Sequence, residues 1–317
     1  MYDTVQLGAF PAEGRTKTAC HPHIQFQGQQ MNKTTFFAYA RRAPFGGRLS
    51  QAQVDGTSAI LAEAERRNLP DEQIAYILAT VFHETGGKMQ PVVENLSYTS
   101  AAQIRKTWPK RFSSIAAAQP FVKNPQALAN KVYGGRMGND SVNDGWTYRG
   151  RGLPQITGED NYKKFGIADA PEKALELATA IRILFEGMVL GKFTGRKLSD
   201  FFGKSKADPE GARVIVNGTD KATLIAGYYR NFLDSLIAAR EMKAAAPDDA
   251  NPDDVPLLKD KTVQTIVAAG GGTFLTGLIS AVSNPWAFLT VALVLVAIGG
   301  GFWLWHTGRL ELKRVAA

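Results

Sequence analysis

Apolar residues return at helical spacing through most of the stretch between Ser50 and Met242. After Pro70, residues Ile74, Ile77, Leu78, Val81 and Phe82 fall on one face, which predicts an amphipathic helix. Pro70-Asp71-Glu72 supplies its start, since proline and acids belong to a first turn. Gly86-Gly87 supplies its stop, because glycine takes the left-handed conformation of a C-cap at little cost. Ser50 is placed to cap another helix carrying Val54, Ile60 and Leu61. Residues 174–190 and 222–242 read as two long helices, the first lined by Leu175, Leu177, Ile181, Leu184 and Phe185. Strand signals are few and short, so the predicted class is mainly α.

The pattern also divides the chain. Residues 1–30 show no helical or strand period and no apolar run, and are expected to be a disordered tail rather than a secretory signal. Residues 31–245 form the predicted folded domain. Residues 246–261, rich in proline and aspartate, are expected to be an extended, solvated linker. From Thr262 to Gly308 there is no Asp, Glu, Lys or Arg over 47 residues, about the length of two membrane spans. Ser283-Asn284-Pro285 would turn between them, and Trp303 and Trp305 would sit at the interface. The expectation is a two-helix transmembrane hairpin at 262–308, in contact with the lipid bilayer and able to self-associate through its small residues. A basic tail follows at 309–317. Localisation at a bacterial inner membrane or virion membrane is the matching expectation.

Charge narrows the partners. Residues 31–245 hold 30 Lys/Arg against 21 Asp/Glu, a balance of +9, which suits an anionic polymer or anionic lipid heads. The cations are scattered and no nucleic-acid motif occurs, so nucleic acid is not an expected partner. Cys20 stands alone and cannot form an internal disulfide. The chain has 4 histidines, and His83-Glu84 lacks a second histidine four residues on, so neither a metal nor a cofactor is expected.

The candidate chemistry is carboxylate chemistry. Glu84 stands where an apolar helix runs out, in a last turn whose dipole disfavours negative charge. Glu94 follows ten residues later in what reads as a polar loop. Two carboxyls in unlike surroundings can differ in pKa, one staying protonated and one ionised, as glycoside hydrolysis needs. An ordinary surface glutamate at a helix end accounts for the Phe82-His83-Glu84-Thr85-Gly86-Gly87 segment taken alone. A second block, from Trp146 to Tyr162, is dense in glycine, aromatics and polar side chains. Its glycines permit close backbone approach, and Tyr148 and Trp146 offer flat faces to a sugar ring.

These segments, FHETGG, VVENLSYT, YRGRGLPQITGEDNY and VNG at 216–218, resemble glycoside hydrolase family 19, more closely its phage endolysin branch than plant chitinases. The resemblance runs from about Thr34 to about Lys243. It implies a lysozyme-like, two-lobed helical domain with a cleft, and inverting hydrolysis of β-1,4 bonds to N-acetylated amino sugars. It implies Glu84 as general acid, Glu94 as general base and Thr157 as the hydroxyl that positions water. It implies Gln155, Asn161 and Asn217 as substrate-binding residues, and Tyr98 and Tyr148 are expected to bind substrate beside them. One departure is Pro154, just before Gln155, where a backbone donor is lost and a local change is expected.

The expected function is therefore peptidoglycan hydrolysis by a membrane-anchored, lysozyme-like enzyme of phage or prophage host lysis. Three readings stay open beside it: a chitinase, a lytic transglycosylase that needs one acid only, and a holin-like membrane protein with an appended enzyme.

Overall fold

The computed structural model describes residues 31–203 and 205–255. Within them the protein is mainly helical: α1 (Lys33–Arg42), α2 (Gln51–Arg66), α3 (Asp71–Glu84), α4 (Ala101–Thr107), α5 (Ile115–Ala118), α6 (Pro125–Tyr133), α7 (Asp144–Thr147), α8 (Glu159–Lys164), α9 (Leu177–Val189) and α10 (Ala222–Arg240). Two antiparallel pairs of two-residue strands complete the described fold. β1 (Val92–Val93) pairs with β2 (Arg151–Gly152), and β3 (Phe202–Gly203) with β4 (Lys206–Ala207).

The helix signals act as the sequence implies. Ser50 caps α2 with a reciprocal box: its hydroxyl accepts from the Gln53 N–H, and the Gln53 side chain accepts from the Ser50 N–H. Helix α3 starts after Pro70, but it is not amphipathic. Every residue from Gln73 to Val81 is buried, because α10 packs along it on one side and α2 covers it on another. A helix enclosed in this way is the centre of its domain.

Two separate cores result. The larger one joins α1, α2, α3, α9 and α10 through Phe36, Ile60, Leu78, Phe185 and Phe232, among others. The smaller one is built by α4, α5 and α6 with the loops around them, on Leu96, Ile104, Phe112, Leu128 and Val132. A third cluster, on Ile156, Tyr162 and Phe165, lies under the glycine-rich block and shares Phe193 with the larger core. The β1–β2 pair therefore stands between the larger core and the segments that lead to the smaller one.

Residues 246–255, expected as an extended solvated linker, are instead fastened to the domain. Residues 247–250 form a 3₁₀ turn. The Arg41 guanidinium donates to the Asp253 carboxylate at 2.8 Å and to the backbone carbonyls of Asp249 and Asn251. The Asp253 carboxylate also accepts from the Leu49 N–H at 2.7 Å, and Asp254 accepts from the Gln51 N–H at 2.6 Å. Its acids thus find specific cationic and N–H partners, which composition alone does not disclose. The tail at 1–30, residues 256–261, the hairpin at 262–308 and the basic tail at 309–317 lie outside the described residues. Among the described residues no helix is long and apolar enough to cross a membrane.

Candidate active site

Glu84 is the last residue of α3. Thr85 ends the helix, its hydroxyl donating back to the Val81 carbonyl and accepting from the Met89 N–H. Gly86 and Gly87 both take positive φ, and the Gly87 N–H returns to the Phe82 carbonyl at 2.7 Å. The loop so formed is clamped by α2. The Gln53 amide donates to the Gly87 carbonyl at 2.9 Å, and Gln90 donates to the Ala52 carbonyl at 2.6 Å. A Cβ on Gly56 would stand 1.8 Å from the Met89 carbonyl oxygen, so the two backbones touch there.

Glu84 meets a cation. Arg213, only 3% exposed, donates to Glu84 Oε1 at 2.7 Å, and its Nε donates to the Asp220 carbonyl. The second oxygen of Glu84 has no protein partner among the described residues. Arg213 lies on the 3₁₀ turn at 211–215, just before the VNG segment. It was not among the sequence candidates; a lone arginine 129 residues away along the chain carries no pattern that points back to Glu84.

Glu94 is half-buried, the reverse of what its polar loop suggests. Burial pushes its carboxyl above the ordinary value, partly offset by the Tyr133 hydroxyl, by the Gly150 N–H and by the charge of Arg149. Tyr133 donates to Glu94 Oε1 at 2.5 Å. The Gly150 N–H is 3.3 Å from the other oxygen, and the Glu94 N–H donates to the Gly150 carbonyl at 2.9 Å. Burial and the neighbouring carboxylate hold the Tyr133 phenol well above its usual range, so it acts as a donor. Tyr133 ends α6, and its carbonyl accepts from buried Asn139, whose own amide oxygen takes the Glu159 N–H. A tyrosine donor of this kind was also missed from sequence, since only the packing of α6 brings it to Glu94.

The glycine-rich block forms the wall beside Glu94. A Cβ on Gly150 would come within 3.2 Å of Glu94 Oε2 and of Gln155 Oε1, so glycine is what lets these groups close up. Gln155, at positive φ, spends its amide nitrogen on the Val92 and Gly152 carbonyls, each at 2.9 Å. It therefore braces β1 against β2, and only its oxygen remains for a ligand. Pro154 is accommodated because it lies in a loop closed by the Arg151–Ile156 backbone pair, where its missing N–H is not needed. Thr157 donates to the Gln155 carbonyl at 3.2 Å, and Asn161 donates to the Thr157 carbonyl at 2.8 Å.

The remaining candidates are more dispersed. The Tyr98 ring stands edge-on to Trp108 and, with Asn95, Ser97, Thr99 and Gln103, lines an open cavity of about 230 Å³ that begins one residue past Glu94. Tyr148 packs on Tyr162, and its hydroxyl reaches the Ala168 carbonyl at 3.4 Å. Trp146 is covered by the Arg149 guanidinium at 3.6 Å, which occupies the face expected for a sugar. Asn217 is exposed, with its oxygen turned onto the Gly218 N–H. The structure thus gathers Glu94 and Gln155 around Gly150, with Thr157 tied to the Gln155 carbonyl. Glu84 has its own partner in Arg213, and Asn217 is held apart by its local turn. Among the described residues no three His, Cys, Asp or Glu side chains gather as a metal site would require.

No family model matches the chain. A protein of Haemophilus influenzae (strain ATCC 51907 / DSM 11121 / KW20 / Rd), named glycosyl hydrolase family 19 domain-containing protein, is 41% identical over 110 residues. The match takes in 34% of this chain and 54% of that protein, so the chain spans about half the length of the curated relative it matches. That likeness agrees with a glycoside hydrolase.

Proposed function

We propose that the protein is a glycoside hydrolase of family 19 type, with a lysozyme-like domain that hydrolyses β-1,4 bonds between N-acetylated amino sugars in peptidoglycan. The observation that carries this reading is a pair of glutamates held by two unlike partners: Glu84 on buried Arg213, Glu94 on Tyr133 and Gly150. In this mechanism the free oxygen of Glu84 gives its proton to the glycosidic oxygen. Glu94 takes a proton from a water that attacks the anomeric carbon from the opposite face, and Thr157 helps hold that water. The C–O bond breaks as the new one forms, and the anomeric configuration inverts. Burial raises the proton affinity of Glu94, which makes it the stronger base once ionised. Residues 262–308 serve in this reading as the membrane anchor, and phage or prophage host lysis as the setting.

The burial of Glu94 also favours a second reading with the roles exchanged, Glu94 as acid and Glu84 as base. Substrates with an aryl leaving group separate the two, because they need no acid. Glu84→Ala should recover activity on an aryl chitooligosaccharide while Glu94→Ala stays inactive; the opposite result assigns the exchanged roles. On purified peptidoglycan, reducing-end products that vanish in both variants support hydrolysis. Anhydro products that survive in Glu94→Ala would refute it in favour of a transglycosylase.

A further inference from the structure

Between Asn95 and Asn139 the chain has no aspartate or glutamate, yet it carries seven lysines and arginines. Arg105, Lys106, Lys110 and Arg111 lie on α4 and the turn after it. Lys123, Lys131 and Arg136 follow on the loops and helix that close the same small core. All seven are exposed, and among the described residues none enters an ion pair. The larger lobe intersperses acids among its cations, and some of them pair. There Glu63 takes Arg66 and Arg67, Glu186 takes Arg182 and Lys192, and Asp253 takes Arg41. A surface whose cations repel one another without counter-charges gains most from an anionic partner.

The position of these charges says which partner. Gln103 lines the cavity next to Glu94, and Lys106, three residues on, shares its side of α4. The Lys123 N–H donates to the Tyr98 carbonyl at 2.8 Å, which sets its backbone beside a residue that lines the cavity. Arg136 follows three residues after Tyr133, whose hydroxyl holds Glu94. The basic surface therefore borders the cavity that opens beside Glu94, on the side of α4 that carries Gln103. A flat phospholipid surface would not need this placement.

We infer that the small lobe is a docking face for carboxylates borne on the substituents of the glycan, such as the peptide stems of peptidoglycan, acting outside the sugar-binding positions. The inference rests on the glycosidase reading of Glu84 and Glu94, but its test does not depend on cleavage. The full-length protein is sedimented with peptidoglycan sacculi, with sacculi whose carboxyls have been amidated, and with vesicles containing anionic lipid. The variant Arg105→Gln, Lys106→Gln, Lys110→Gln, Arg111→Gln is compared with an equal change of charge on the larger lobe at Lys33, Arg48, Lys173 and Arg230, all exposed. The small-lobe variant should lose roughly tenfold in affinity for untreated sacculi at low salt. The larger-lobe variant should keep its affinity within about twofold, and amidation should remove the difference. Both variants should cleave an uncharged chitooligosaccharide as the parent does, which shows that the fold is intact. Equal losses in the two variants, unchanged binding to amidated sacculi, or stronger binding to vesicles than to sacculi would each overturn the inference. If no glycan is cleaved by the parent while the charge-dependent binding remains, the glycosidase reading fails and the docking face stands.

Discussion

Tyr133→Phe removes one oxygen and keeps the ring in its place against the small core. The lost contact is the 2.5 Å hydrogen bond from the phenol to Glu94 Oε1. A hydrogen bond to a charged group contributes about 1.5–3 kcal/mol, which converts to roughly ten- to a hundredfold in an equilibrium. The phenol donates to the ionised carboxylate, so its loss leaves only the Gly150 N–H and Arg149 to offset burial. With Glu94 as base, kcat/KM on the acid side of the pH profile should fall by that factor. The acid limb should move to higher pH, and the two profiles should converge at alkaline pH, where Glu94 is ionised in both proteins. The assay is hydrolysis of a chitooligosaccharide or of peptidoglycan from pH 3 to pH 9, with thermal unfolding as a check on the fold. A profile lowered equally at every pH would mean that Tyr133 only supports packing. An unmoved acid limb would mean that Glu94 does not act as the base.

Glu94→Gln tests the same burial through stability. A carboxyl raised by burial binds its proton more readily folded than unfolded, so folding stability falls as pH rises above the ordinary carboxylate range. The variant should therefore melt higher than the parent at pH 7, with the gap closing at pH 4; a gap that widens on acidification would refute the sign. Arg213→Ala leaves Glu84 without its cation in a site 16% exposed, and urea unfolding should show a loss of about 3–5 kcal/mol. The double variant Arg213→Met, Glu84→Gln should lose less than Arg213→Ala, and an equal or larger loss would show that the pair is not what holds the site. Gly56→Ala drives a methyl into the Met89 carbonyl and should cost about 1–3 kcal/mol while lowering kcat, because the loop joining the two glutamates must shift. Unchanged kcat in a destabilised Gly56→Ala would separate the loop from the chemistry.

The helices were legible where their signals are local. Pro70, Gly86-Gly87 and Ser50 each act on their own neighbours, and α3 and α2 start or stop accordingly. The enclosure of α3 was not legible, because small residues such as Ala75 and Ala79 take either side and only the packing of α10 decides. Within the site, residue type and spacing put forward the two glutamates and the glycine-rich block as candidates. Their partners were not legible, since Arg213 and Tyr133 reach them from 129 and 39 residues away. The same gap misjudged the surroundings of Glu94: a loop polar in sequence lies under α6 in space. Gln155 and Asn161 showed the right chemistry, but the backbone claims their amide nitrogens first. The aspartates after Pro247 read as solvated because their composition says nothing of Arg41.

That fastening has a mechanical consequence. Any pull arriving from beyond residue 255 reaches Arg41 before it reaches α10. The Arg41 guanidinium joins the Asp253 carboxylate to the carbonyls of Asp249 and Asn251, and the Leu49 and Gln51 N–H groups hold Asp253 and Asp254 beside it. Once released, residues 246–255 can span at most roughly 35 Å at full extension. The domain can thus yield first at this clasp, while the packing of α3 on α10 stays closed.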